Sequence, residues 1–140
     1  MIFLNNHNDK EIRDEINSMV GHPYSFLERL KMGGNGCSRL YVEEYSPKFS
    51  KHFGESQDRK TINIELREKG ILVYINNKVN NYVWVIPYYR LNIYQTKHFS
   101  IYADGAFIKL KKDSVFPMNK KFVDRLMQLR SDYLEPVNAI

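Results

Sequence analysis

From Thr61 to Lys112 apolar and polar residues alternate in short runs separated by turn residues, and from Asn119 to Leu134 apolar residues recur every three or four positions. The first pattern predicts a series of β-strands and the second one amphipathic helix. Ile62, Ile64 and Leu66 alternate with Asn63, Glu65 and Arg67, and the short Glu68-Lys69-Gly70 turn leads into Ile71, Val73 and Ile75. Asn76-Asn77 and Asn80-Asn81 flank Lys78-Val79 as turn chemistry, because Asn tolerates the left-handed backbone region. Tyr82 to Ile86 resumes a strand, Pro87 removes a ladder donor and predicts a bend, bulge or edge, and Leu91, Ile93 and Tyr94 continue beyond it. Ser100 to Ala103, Asp104-Gly105 and Ala106 to Leu110 read as a hairpin. In the helix, Asn119 can cap and Pro117 stands just outside. Phe122, Leu126, Leu129 and Tyr133 share a face widened by Val123 and Met127, with Lys120, Lys121, Asp124, Arg125 and Arg130 opposite.

The N-terminal segment carries a different period. Asn8 can cap, Glu11 follows as in a capping box, and Ile12, Ile16, Met19 and Val20 then share one helix face until Gly21 and Pro23. A shorter helix over Ser25 to Met32 sets Phe26, Leu27 and Leu30 on one side. Two such helices cannot bury their apolar faces alone, so they are expected to pack on the sheet or on another subunit. Gly33-Gly34-Asn35-Gly36 reads as a helix-to-strand connector; it lacks the strand and the Gly-Lys-Ser/Thr of a phosphate loop. Ser38 to Ser46 is a candidate strand with Leu40 and Val42 facing one way and Tyr41 and Glu43 the other. Ser46 to Lys60 loses all period and reads as a long loop, the first place to look for ligand contacts.

Strands followed by a single helix predict an α+β, mostly β fold in which the terminal helix covers a curved sheet. Gly70-Ile-Leu-Val-Tyr74, Trp84-Val-Ile-Pro-Tyr88 with Leu91, Asp104-Gly-Ala-Phe-Ile-Lys-Leu110 and the helix Phe122 to Leu129 together resemble a bacterial pleckstrin-homology-like or GRAM-like domain, over about Ser38 to Leu134. The resemblance implies a small barrel of bent antiparallel sheets with a C-terminal capping helix. Residues 1–36 would be a helical extension and residues 37–140 the barrel domain with its helix, as one folded unit. It also implies a binding platform for phosphoinositides, peptides or other domains in place of a reaction centre. The positions matching the family's basic motif are Lys48, Lys51, Arg59 and Lys60, and here Glu55 and Asp58 lie among them.

Charge sharpens this picture. The chain carries a net +5, and all of the excess falls after residue 60, where twelve Lys and Arg face seven Asp and Glu. Lys109, Lys111, Lys112, Lys120 and Lys121 are its densest part, with Asp113 the one acidic residue between them in sequence. A solvated face is the simpler reading of that run; together with Lys48, Lys51, Arg59 and Lys60 it is also the candidate surface for an anionic partner, lipid or other phosphate-bearing group. Tyr82, Trp84, Tyr88, Tyr89 and Tyr94 form a candidate aromatic contact surface beside Arg90, Lys97 and His98. Packing within the sheet is the simpler reading of those rings, and nucleic acid is not the expected partner, because no RNP or OB pattern accompanies them.

Catalytic and metal chemistry find no pattern. His7, His22, His52 and His98 are scattered, and the chain's one cysteine, Cys37, has no His or acid placed to activate it. Glu43-Glu44 and Glu65 with Glu68 read as solvent positions. No apolar run reaches the roughly 20 residues of a membrane span, and Met1 to Leu4 is followed at once by polar residues, unlike a signal-peptide core. The expectation is a cytoplasmic, non-catalytic module without cofactor or metal. Its partner would be another protein or a second copy, with an anionic membrane surface as the alternative and a small enzyme as a third.

Overall fold

The computed structural model describes residues 1–4, 9–37, 39–54, 59–112 and 119–135. In chain order these form β1 (Ile2–Leu4), α1 (Lys10–Val20), α2 (Phe26–Met32) and β2 (Leu40–Tyr45). A 3-10 turn (Pro47–Phe49) and the short α3 (Ser50–Phe53) follow, then β3 (Thr61–Leu66), β4 (Gly70–Ile75) and β5 (Tyr82–Pro87). A second 3-10 turn (Tyr88–Arg90) leads to β6 (Asn92–Gln95), β7 (Phe99–Ala103), β8 (Ala106–Leu110) and α4 (Lys120–Leu134). The fold is α+β and mostly β: eight antiparallel strands in the order β1-β5-β4-β3-β2-β8-β7-β6, with four helices among the described residues. The sheet is open, with β1 and β6 at its edges.

Two meanders, β3-β4-β5 and β6-β7-β8, meet at β2. Leu40 and Tyr41 pair with Ile62 and Thr61 of β3, whereas Val42, Glu44 and Tyr45 pair with Leu110, Lys109 and Ile108 of β8. The register shifts between Val42 and Glu44, the signature of a bulge, and a bulge bends the strand that carries it. Because of it, side chains from both meanders gather in one core: Ile62, Ile64, Ile71, Val73, Trp84 and Ile86 from one, Phe99, Ile101, Ile108 and Leu110 from the other.

The continuous apolar run of β4 and β5 is explained from behind. Ile71, Val73 and Ile75 face the main core, while Leu72, Val83 and Val85 form a second cluster with Ile16 and Val20 of α1. Strands covered on both faces need apolar residues on both, which overrides simple alternation. Asp9, not Asn8, caps α1 by accepting from the Ile12 amide; Asn8 lies outside the described residues. Gly70 sits where this helix comes closest. A Cβ there would lie 2.6 Å from Val20 Cγ1 and 2.8 Å from Pro87 Cα and would also meet the Ile86 carbonyl. Arg67, buried at 7% exposure, ties the layers together by donating to Glu65 (2.6 Å), Asn17 (2.9 Å) and the Gly21 carbonyl (2.8 Å). A buried guanidinium is tolerated only with such a set of partners.

Three expectations are corrected. The N-terminal segment is not wholly helical: it opens with β1, which pairs with β5. Ser46 to Lys60 is not all loop, since the 3-10 turn and α3 drive Phe49 (0% exposed) against Trp84 and Phe53 (3%) against Tyr45. Of the two coverings expected for α2, the sheet receives only Met32, and Phe26, Leu27 and Leu30 are exposed.

The amphipathic α4 buries Phe122, Val123 and Leu126 against the core. Asn119 holds its cap position but makes no side-chain capping bond, interacting elsewhere instead, and Pro117 lies outside the described residues. Arg125 and Arg130 do not simply face solvent: one donates to the Gly34 carbonyl at 3.0 Å and the other to the Leu91 carbonyl at 2.9 Å. In urea titrations, Leu126→Ala will lower stability by about 2–5 kcal/mol. Gly70→Ala will cost at least about 1–3 kcal/mol by overpacking; an unchanged midpoint in either variant contradicts this packing.

Candidate functional site

Where α3 hands over to β3, two loops face each other. Gly54 leaves α3 with φ of 80°, a left-handed value that favours glycine, and a Cβ there would press on Asn77 at 3.3 Å. Asn77 donates to the His52 carbonyl (2.8 Å) and accepts from the Val79 amide (2.9 Å), so a single side chain shapes the β4–β5 turn and docks it on α3. Asn76 donates to Thr61 Oγ1 and Asn63 Oδ1, both at 2.9 Å, and fixes the same turn to β3. The adjacent asparagines therefore build the turn and also hold it in place.

Between the two loops lies a cleft of about 880 Å³. Arg39, Lys51, Arg59, Lys60 and Lys78 line it together with Asn76, Asn77, Asn80 and Asn81. No acidic side chain lines it among the described residues, and Glu55 and Asp58 lie outside them. The Arg59 guanidinium sits 3.9 Å from the centroid of the Tyr41 ring, a cation–π contact that holds its orientation. Arg59, Lys60 and Lys78 also interact within the chain. Behind the wall His52 is buried edge-on to Tyr82 at 4.8 Å. Burial, with the charge of Lys51 beside it, pushes its imidazole below the ordinary value and favours the neutral form.

Of the nine cations expected to meet an anionic partner, the cleft gathers three: Lys51, Arg59 and Lys60. Lys48 is exposed in the neighbouring 3-10 turn but does not line it. The expected field from Lys109 to Lys121 is broken up. Asp113 lies outside the described residues, yet β2 brings Glu44 to 3.4 Å from Lys109 and Glu43 to 3.8 Å from Lys111. Lys112 donates to the Thr96 carbonyl (2.7 Å), Lys120 pairs with Asp124 (3.0 Å), and Lys121 points outward on α4. Exposed pairs of this kind contribute little to stability but lower the local positive charge.

The aromatic surface is corrected as well. Trp84 and Tyr88 are core residues at 1% and 0% exposure, and the Tyr88 hydroxyl donates to the Arg67 carbonyl. Tyr82 is half-buried against His52, leaving Tyr89 and Tyr94 exposed. Tyr94 instead joins Tyr102 and Phe107 in a row on the outer side of β6, β7 and β8, bordered by a recess of about 390 Å³. Sequence reasoning missed Arg39, Lys78 and the four asparagines as cleft residues. For Lys78 and the asparagines the available signal was the doubled Asn pair around a lysine, read as turn chemistry alone; Arg39 had none.

Cys37 is partly buried, and its Sγ accepts from the Ile64 amide at 3.2 Å. Burial pushes the thiol up to about 11, so at neutral pH it is protonated and a poor nucleophile. No group of three metal-binding side chains gathers among the described residues, and no helix there is long and apolar enough to cross a membrane. Iodoacetamide at pH 8 will label Cys37 in the folded chain roughly a hundredfold more slowly than in urea, with the folded rate rising as pH approaches the raised value; equal rates contradict the burial. No family model, curated protein or solved structure matches this chain.

Proposed function

We propose that this protein is a non-catalytic binding module whose basic cleft holds an anionic, phosphate-bearing ligand. The observation that carries the reading is the convergence of Arg39, Lys51, Arg59, Lys60 and Lys78 on one cleft with the asparagines. Cations supply attraction and charge-assisted hydrogen bonds, and the side chains of Asn80 and Asn81 can add donors to phosphate oxygens or exchange bonds with sugar hydroxyls, while Asn76 and Asn77 are engaged in holding the turn. A site of about 880 Å³ suits a ligand larger than a single phosphate, such as a polyphosphate or a phosphorylated sugar or lipid headgroup.

The fold supports the same reading. Two antiparallel meanders joined through a bent strand, with a helix over their shared core, support the reading in part; the small barrel that the resemblance of Ser38 to Leu134 implies is not closed here, where the sheet stays open. On that reading the molecule is a cytoplasmic binding platform. Its loops carry recognition and its sheet carries stability.

Calorimetric titration with inorganic tripolyphosphate tests it, beside co-sedimentation with phosphatidylcholine vesicles with and without phosphatidylserine. Binding to tripolyphosphate is expected to weaken with added salt and to fall at least about tenfold, or about 1.4 kcal/mol, in the variant Arg39→Glu with Lys51→Glu. Vesicle binding that needs phosphatidylserine and the same residues assigns the ligand to a membrane; tripolyphosphate binding alone assigns it to a soluble phosphate. Absence of both, or affinity unchanged by the double reversal, overturns the proposal.

A further inference from the structure

On the outer face of the second meander one small residue sits among large ones. Phe99, Ile101 and Ala103 of β7 point into the core, so Ser100 and Tyr102 stand on the opposite face. In the ladder Ser100 lies across from Tyr94 of β6 on one side and from Lys109 of β8 on the other. A serine among side chains of that size leaves a hollow, the recess of about 390 Å³ lined by Tyr94, Thr96, His98, Ser100, Tyr102 and Lys109. Ser100 is buried at 4% exposure, and its hydroxyl has no hydrogen-bond partner among the described residues. A buried hydroxyl left without a partner by the chain is costly unless something in the recess bonds it.

The chemistry of the lining narrows what that would be. The Tyr94 and Tyr102 rings stand at 90° with centroids 5.2 Å apart, and Phe107 stacks on Tyr102 at 5.3 Å, so aromatic surface meets at a corner. Lys109 is the one lysine or arginine of the lining, and Glu44 offsets it at 3.4 Å. An anion therefore gains little here, in contrast to the basic cleft. The other polar groups are hydroxyls and an imidazole, which donate and accept alike. Their complement is a neutral ring with an apolar C–H face and hydroxyls around its edge, and a pyranose has both. Its weakly positive C–H bonds are drawn to the negative face of an aromatic ring. A flat heteroaromatic would stack on the same rings but leave most of the hydroxyls unmatched.

We propose that the outer face of β6, β7 and β8 is a second binding site, which takes a neutral pyranose ring of a saccharide against Tyr94 and Tyr102 while Ser100 bonds one of its hydroxyls. The recess volume stands at the small end of ligand sites, the size for one or two sugar rings. The site lies on open sheet and shares no residue with the basic cleft, so it stands apart from the anion proposed there.

NMR titration of the full chain with the methyl pyranosides of glucose, galactose, mannose and N-acetylglucosamine, each taken to high millimolar concentration, tests it, with adenosine as a stacking control. At least one glycoside is expected to shift the backbone amides of residues 94–102 and 107–109 saturably. Tyr94→Ala removes an exposed ring and Ser100→Leu fills the hollow, and each is expected to weaken that binding at least about tenfold. Tyr94→Ala decides the matter should the buried substitution disturb folding, and the double reversal of Arg39 and Lys51 in the cleft leaves glycoside binding unchanged. Absence of saturable shifts with all four glycosides overturns the proposal. So do shifts centred elsewhere, binding that survives Tyr94→Ala, or adenosine binding as tightly as any glycoside, which would make the rings a stacking platform and no sugar site.

Discussion

Everything in this fold depends on β2 serving two meanders at once. Six residues supply the hydrogen bonds for β3 with one end and for β8 with the other, and the ladder is kept through the turn by the register shift between Val42 and Glu44. A flat eight-stranded sheet would leave one broad apolar face to be covered. The bend lets the two halves cover each other, with Phe49 and Phe53 from the segment after β2 filling in among them and α4 adding Phe122, Val123 and Leu126. The same bend carries the sheet's outer face away from this core. On the β4 and β5 part of that face α1 provides a second, smaller core.

The cleft is a by-product of this arrangement. Chain leaving β2 must return to begin β3, and β4 must turn back into β5, so both connections emerge near Thr61 and Asn76, which are hydrogen-bonded to each other through backbone and side chain. Loops rooted this firmly can hold like charges near one another, because the asparagine bonds to α3 and β3 resist their spreading apart. On the proposed reading, a polyanion would meet cations that the fold has already brought together.

Much of this was legible in the sequence, for physical reasons that also mark the limit. Alternation placed β3, β4, β7 and β8, and Asp104-Gly105 placed their last hairpin, because those signals are local. The turn and helix over Pro47–Phe53 escaped detection, since four helical residues are too few to show a period. By alternation alone Trp84 and Tyr88 could be surface or packed rings, and the structure favours the simpler reading of packing, with both in the main core. Lys109 of β8 and Lys111 just past it looked unopposed because Glu44 and Glu43 lie some 65 residues away in sequence and meet them only across the β2–β8 pair. For α2, spacing identified which side chains share a face; it carried no information on what covers them. In the cleft, Lys51, Arg59 and Lys60 were visible as a charge cluster, whereas Arg39 and Lys78 come from separate loops that only the fold brings together.

The most direct measurement is a nitrogen-resolved NMR titration of the full chain with inorganic tripolyphosphate at low salt, following backbone amides and the asparagine side-chain amides. The shifts should concentrate on residues 51–54, 59–61 and 76–82 and on the side chains of Asn76, Asn77, Asn80 and Asn81. Shifts centred on the Tyr94, Tyr102 and Phe107 row, or none at saturating ligand, would contradict a cleft built for anions.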